Sequence, residues 1–473
     1  MPTDPRGLRH DAPLLDAWLR FQESPRLPFT IPGHKHRTDL VGDVVVGDVP
    51  LYAGLDSMSL SAGLLVDAER RAADLWGADV ARFSVGGSTH GNQALALAVG
   101  RPGDRVVVGR TLHRSMLLGL VLAGLEPVWV RPRVDPRLGL PLGVDPDDVA
   151  AAIRTHPDVT AVLVGDPSYV GTVGDVAGLA RVAHSHGIPL VVDAAWAAHF
   201  GFHPELPPHP LAAGADAMVL SAHKTLPAWS QGALVLASTE RIEPARLHAA
   251  VEATHTTSPS GAILASIDAS RALLERDGET LLGPVLAAVR GLRERLAEVP
   301  GLVVLDGPGV DPVKVTVVLS GAGADGRVVE AGLIERGMPV EMADRDTLVA
   351  MVTLADDAET IGALGDALVH LIEQHSAMAR PVVPAGVWEL DPVVDRPPRE
   401  AFFAPRERVR LRHAVGRTSA ELIAPYPPGI PVLAPGEQVT EGAVDALRRA
   451  RESGVRIAYA HDPSLATIDV LRT

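Results

Sequence analysis

The chain reads as an α/β protein built on a mainly parallel sheet buried on both faces, followed by a smaller α+β unit. Three observations carry that reading. Short, continuously apolar, β-branched runs recur from about residue 80 to 238, helical stretches fill several of the gaps, and the texture changes near residue 300. Residues 1–40 form an N-terminal arm, with the helical pattern LLDAWLRFQE and the Pro/Gly-marked loop LPFTIPGHKHR. Residues 41–298 form the large domain. In it LLVDAERRAADLWG has helical spacing, and ARFSV, RVVVG, EPVWVRP, TAVLVGD, IPLVVD, ADAMVLS and GALVLAS are the strands. HGNQALALAVG, closed by Gly100, and VAGLARVAHSHG are helices between them. Residues 299–376 form the α+β unit, with strands in GLVVLDG, PVKVTVVLSG and TLVAMVTLA and helices in GRVVEAGLIERG and AETIGALGDALVHLIEQH. Residues 377–473 form a C-terminal domain. It opens on a Pro-rich linker or wrapping segment, RPVVPAGVWELDPVVDRPPREAFF, and later carries the helix GAVDALRRARESG.

A chain of 473 residues exceeds one ordinary core, and 47% hydrophobic with 21% charged residues suits a soluble globular enzyme. A net charge of -15 argues against nucleic acid or an anionic membrane as partner, since both need a basic surface. With no cysteine, disulfides, thiolate nucleophiles and Cys-ligated metal centres are excluded. The start, MPTDPRGLRHDAP, lacks an apolar signal core, and the apolar run Met116–Leu125 is too short to span a bilayer. A cytoplasmic location is expected.

Of 43 lysines and arginines, only Lys35, Lys224 and Lys314 are lysine. A lysine kept in an arginine-biased chain is one whose chemistry arginine cannot perform. Lys224 follows the apolar strand AMVL at its C-terminal end, where open parallel sheets place ligands. It reads as a surface charge or, partly desolvated beside Ser221, His223 and Thr225, as a Schiff-base former. Asp193 ends another apolar strand. It reads as a cap or turn acid, or as the buried carboxylate that keeps a pyridine nitrogen protonated in a pyridoxal phosphate enzyme. In FSVGGSTHGN, Gly86 and Gly87 permit a tight strand-to-helix turn. Ser88 and Thr89 can cap the helix, or the free N–H groups there can cradle a phosphate. The pattern is neither a Walker loop nor GxGxxG, so a nucleotide is not favoured. His113 in GRTLHRSM is a satisfied or surface histidine, or a flat ring stacked on a cofactor. His199, His203 and His209 lie close together, but Pro204, Pro207, Pro208 and Pro210 make that stretch an irregular loop, and no metal is expected.

The sequence resembles the fold-type I, pyridoxal phosphate-dependent Orn/Lys/Arg decarboxylase family, particularly its shorter arginine/lysine decarboxylase-like members. PFTIPGHKHR is similar to that family's PF-x-x-PGH-K opening, FSVGGSTHGN to its GST segment and GRTLHRSM to N-x-HKS. DPSYVGTVGD resembles P-T-Y-x-G, and ADAMVLSAHKTL resembles AD-x-x-x-x-S-x-HKTL. THTTSPSGAILASIDASR and PYPPGIPVLAPGE resemble the T-T-SPS…SLD and YPPGIP-x-x-x-PGE stretches. The matches run in order from about residue 27 to 437.

The resemblance implies an aspartate aminotransferase-like large domain and a site at a dimer interface, hence a homodimer or higher even oligomer. It implies pyridoxal 5'-phosphate on Lys224, Asp193 on the pyridine nitrogen, His113 stacked on one ring face and Ala195 on the other. Ser88, Thr89, Ser221 and His223 would hold the phosphate, and Trp196 would adjoin the cofactor. Glu341 and Asp344 match an E-x-x-D element that would lie near the substrate. Glu437 would be structural or interfacial, with substrate contact as the lesser alternative, and Asp56 would lie at the dimer interface. The implied reaction is decarboxylation of a basic amino acid, arginine first, then lysine or ornithine, with a proton returned to the α carbon by Lys224 or His223. Two departures stand out. DAAWAAH places Ala194 and Trp196 where shorter members read DEAHGAH, although larger members carry D-S-A-W, and Gly261 replaces an aromatic after SPS. They leave open another pyridoxal phosphate reaction, such as transamination, oxidative deamination or elimination. A non-catalytic regulatory homologue is the third reading.

Overall fold

Apolar side chains on both faces of a strand can only be accommodated between two covering layers. The strands Leu190–Asp193, Ala217–Leu220 and Ala233–Ala237 are buried at every residue. In a computed structural model, which describes residues 3–23, 29, 31–49, 63–381, 390–426, 430–452 and 454–472, they lie inside a seven-stranded sheet. Its order is Val80–Ser84, Ala233–Ala237, Ala217–Leu220, Leu190–Asp193, Val162–Gly165, Arg105–Gly109, Glu126–Val130. Only Ala233–Ala237 runs antiparallel to its neighbours. The helices Gly87–Val99, Arg114–Ala123 and Pro244–Thr254 cover one face, around Leu95, Met116 and Leu247. Leu64–Trp76, Pro146–Thr155 and Val176–Ser185 cover the other, around Leu65, Ile153 and Leu179.

The helix Gly87–Val99 rests directly on the sheet. A Cβ added at Gly91 would lie 2.7 Å from Val219 and 2.9 Å from Val235, so no larger residue fits without moving the helix. That close seat brings its N-terminus to the strand ends. Gly86 occupies the cap position without a side-chain cap bond, and Gly87 takes φ 69°. Ser88 and Thr89 therefore lie inside the first turn and do not cap the helix, contrary to that sequence alternative.

A 37-residue helix, Gly261–Ala297, leaves the large domain and enters the small one. Its Leu264 and Ile267 belong to the first core, and its Leu282, Val289 and Leu296 to the second. At 1.5 Å per residue it is about 55 Å long. The small domain is an antiparallel sheet, ordered Val303–Val304, Lys314–Val318, Thr347–Met351, Met342–Ala343. The helices Gly326–Glu335 and Ala358–Gln374 pack on it.

The C-terminal unit pairs Arg406–Arg410 with Thr467–Leu471 and adds the helix Glu441–Glu452 over its own core. The Pro-rich segment is not wholly a linker, because Pro398–Phe403 is helical and Arg399 donates to the carbonyls of Val121 and Leu122. Arg110 and Glu437, both buried, fasten the unit to the sheet. The guanidinium grips both carboxylate oxygens, and the Ala434 N–H donates to Glu437 at 2.9 Å. Asp56 and the Pro427–Gly429 part of the C-terminal signature lie outside the described residues.

Candidate active site

The chemistry-bearing residues stand where the parallel strands end. Leu190–Asp193 delivers Asp193, Ala217–Leu220 delivers Ser221 to Thr225, and Arg105–Gly109 leads to His113. The loop Gln231–Gly232 ties two of these pieces together. Gln231 accepts from the Gly87 N–H at 2.9 Å. Gly232 accepts from the His223 N–H at 3.2 Å and from the His223 ring Nδ1 at 2.8 Å. The GST turn and the lysine segment are thus neighbours.

Asp193 is buried, and its charge is met by hydrogen bonds. Asn92 donates to Oδ2 at 2.7 Å and the Ala195 N–H to Oδ1 at 3.3 Å. The second N–H of Asn92 goes to the Ser115 hydroxyl at 2.8 Å, which in turn lies 2.9 Å from His113 Nδ1. The Ser115 N–H also donates to Nδ1, capping the helix Arg114–Ala123. Nδ1 is therefore the acceptor and Nε2 carries the proton, an assignment made from the hydrogen bonds. The His113 ring is exposed to the cleft. The protein mass around that cleft lowers its pKa, outweighing the attraction of Asp193, so the ring is neutral at pH 7.

Lys224 is half-buried. Burial lowers its pKa first, while the carboxylates of Asp193 and Glu341 pull the other way. His223 is likewise lowered, chiefly by burial. The hydroxyls of Ser221 and Thr225 are buried without a hydrogen-bond partner. Such orphans lose solvation unless an acceptor arrives. Ala195 is buried, Ser88 half-buried and Thr89 exposed.

Trp196 stands over the lysines. Its ring centre is 3.8 Å from Lys224 Nζ and 3.7 Å from Lys314 Nζ, and Tyr169 meets it edge-on at 5.3 Å. The Tyr169 hydroxyl donates to Glu341 at 2.8 Å, which places Glu341 at the rim. Asp344 is not brought there. Its carboxylate accepts the N–H groups of Asp346 and Thr347 in its own hairpin, and the charges acting on it are those of Asp346 and Arg345. His199 is buried against Asp311 at 3.1 Å, a link between the two domains, and no group of three metal-ligating side chains exists among the described residues.

Sequence reasoning missed Asn92, Ser115 and Lys314. For the first two no local signal exists, because their partners come from distant segments. For Lys314 there was a signal, the scarcity of lysine itself, and it was followed only as far as Lys224.

The mainly parallel sheet with a rim lysine, a buried strand-end aspartate and an antiparallel small domain defines a fold-type I enzyme architecture. Lysine decarboxylase A from Pseudomonas aeruginosa superimposes with a TM-score of 0.84 at 20% identity, over 98% of this chain and 81% of that one. A serine palmitoyltransferase from S. paucimobilis, solved with bound PLP, superimposes with a TM-score of 0.56 at 16% identity, over 77% of this chain and 84% of that one. Residues 12–306 match the Orn/Lys/Arg decarboxylase major domain and residues 397–456 match that family's C-terminal domain. The chain belongs to the Orn/Lys/Arg decarboxylase family. Along its length it is similar to an arginine decarboxylase of Bacillus anthracis, 29% identical over 98% of both chains.

Proposed function

We propose that the protein decarboxylates a basic amino acid, arginine first and then lysine or ornithine, using pyridoxal phosphate held on Lys224. The residues present fit that group. Ser221 and Thr225 offer buried hydroxyls that lack an acceptor, Ser88 and Thr89 offer donors at the first turn of a helix, and His113 offers a flat neutral ring. Bound there, the cofactor supplies an electron sink for the pair released when CO2 departs.

The protein's own groups do the rest. A lowered pKa leaves more of Lys224 as free amine, the form that bonds to a carbonyl carbon. Asp193, held in place by Asn92 and the Ala195 N–H, would retain a proton on the pyridine nitrogen. The Tyr169-held carboxylate of Glu341 would receive the cationic end of the substrate. The ring of His223 donates through Nδ1 to Gly232, which leaves Nε2 of the neutral ring as an acceptor. The Lys224 ammonium, or His223 once its Nε2 has taken up a proton, would return a proton to the α carbon.

The observation carrying this reading is the desolvated rim amine of Lys224 beside the buried, doubly hydrogen-bonded Asp193. Purified cofactor-loaded protein should convert arginine to agmatine and CO2, read by mass spectrometry. Keto acid and ammonia in place of amine would overturn decarboxylation and favour transamination or oxidative deamination. We further infer a homodimer or higher even oligomer. Phe29 at 98% exposure and Val44 at 83% leave the N-terminal segment with apolar surface suited to a second copy. Light scattering of an eluting monomer would overturn that.

A further inference from the structure

Lys314 opens the first long strand of the small domain, where its flanking residues Val313 and Val315 are buried. The residue is 4% exposed, and its ammonium has no hydrogen-bond partner. A lysine in that condition ordinarily carries an acceptor with it into the interior. The nearby acids are otherwise engaged. Asp311 holds His199, and Glu341 takes the Tyr169 hydroxyl. What Lys314 does touch is the Trp196 indole, the same ring that Lys224 touches. Its stem is fixed by Gly171, where an added Cβ would meet Lys314 Cβ and Cδ at 3.1 Å. Two amines from two domains thus converge on one indole at the rim.

We propose that Lys314 is the receptor for the substrate's α-carboxylate. This rests on the reading that the substrate is an amino acid whose amine meets the cofactor at Lys224. In such a molecule the carboxylate is one carbon from that amine, so bringing the amine to Lys224 brings the anion beside the shared indole. The Lys314 ammonium lies over the rings of Trp196 and Tyr169 and in the field of Asp311 and Glu341 but makes no hydrogen bond, and four rotatable bonds let it turn to an arriving oxygen. A charge-assisted hydrogen bond to a carboxylate is stronger than contact with a ring. Its pKa, pushed down to about 8 by burial, still leaves it mostly protonated at pH 7.

The arrangement is asymmetric between substrate and product. A basic amino acid brings a cationic side chain for Glu341 and an anion for Lys314. Once the carboxylate has left as CO2, the product carries only positive charge, and Lys314 becomes a repulsive neighbour. The same residue then favours capture of the acid and release of the amine.

The test uses the full-length, cofactor-loaded protein carrying Lys224→Ala to prevent turnover. Arginine and agmatine are titrated calorimetrically with Lys314 intact and with Lys314→Met. The inference expects arginine to bind about tenfold or more weakly in the methionine variant, with agmatine unchanged or tighter. Lys314→Arg, which keeps the cation, should retain part of the arginine affinity, and Lys314→Gln offers a second neutral side chain should methionine pack badly. Equal weakening of acid and amine would overturn the inference. So would an altered cofactor absorbance without ligand together with unchanged arginine binding, because Lys314 would then serve the cofactor's phenolic oxygen. The same selective loss with lysine and cadaverine, where arginine and agmatine do not bind, would support Lys314 while overturning the preference for arginine.

Discussion

Replacing Lys314 with methionine removes a buried charge and leaves a side chain of similar length in a pocket already lined by Gly171 and Trp196. The sign of the stability change follows from linkage. In the folded chain burial lowers the lysine's pKa from 10.5 to about 8. Between those two values the unfolded chain holds a proton that the folded chain does not, so stability rises with pH across that window. Below pH 8 the folded state carries the whole cost. At about 1.4 kcal/mol per pH unit, that cost is about 3 kcal/mol. Asp311, which supports the charge, keeps its bonds to His199 and to the Val313 N–H in the variant. Lys314→Met should therefore be more stable than the parent at pH 7. With an unfolding entropy of about 2 cal/mol/K per residue, a chain of this length melting as one unit gains about 3 °C. Scanning calorimetry at pH 7 and again near pH 10 is the assay, and the gap should close at the higher pH. A variant melting at or below the parent at pH 7, or a gap independent of pH, refutes the assignment of a buried, unpaired ammonium. A stabilising substitution that weakens substrate binding is the mark of a residue kept for function.

The other predictions concern the groups around it. Lys224→Arg keeps the charge but cannot form an imine, so amine production should be lost as fully as in Lys224→Ala, and retained turnover would remove Lys224 from its role. Asn92→Leu strips Asp193 of its 2.7 Å donor, and loss of a hydrogen bond to a charged group should lower kcat by about tenfold or more, read from product formation under cofactor saturation. Arg110→Met leaves Glu437 buried without its cation and should destabilise the chain by about 3–5 kcal/mol in urea unfolding. Arg110→Met combined with Glu437→Leu should recover most of that loss.

Much of the sheet was legible because its strands are unbroken β-branched runs, a pattern that only a two-sided burial explains. The positions of Lys224 and Asp193 were legible for a related reason: each is a polar residue set at or just past the end of such a run, and the structure places both at the ends of parallel strands. The GST turn was placed correctly beside the strand end, but Gly86 occupies the cap position expected for its hydroxyls. Asn92 was not legible. It reaches Asp193 across 101 residues, and nothing in GSTHGNQ tells which helical residue will face the neighbouring strand. Lys314 sits inside PVKVTVV, which reads as a strand of a different domain, and its approach to Trp196 is set by how the two domains pack. Asp344 misled because the motif fixes its position in the chain and not the direction of its carboxylate, which turns back into its own hairpin.

The helix Gly261–Ala297 belongs to both cores, and this makes it a ruler as well as a support. Each residue in a helix advances the chain by 1.5 Å and turns it by about 100°. Loss of a single residue between Ile267 and Leu282 would therefore swing the small domain, and Lys314 with it, about a quarter turn away from Trp196. Substitutions on the helix's outer surface are free to accumulate, while its length is not. Among insertions and deletions of one residue placed along the chain, those between Ile267 and Leu282 should abolish activity even where the protein still folds.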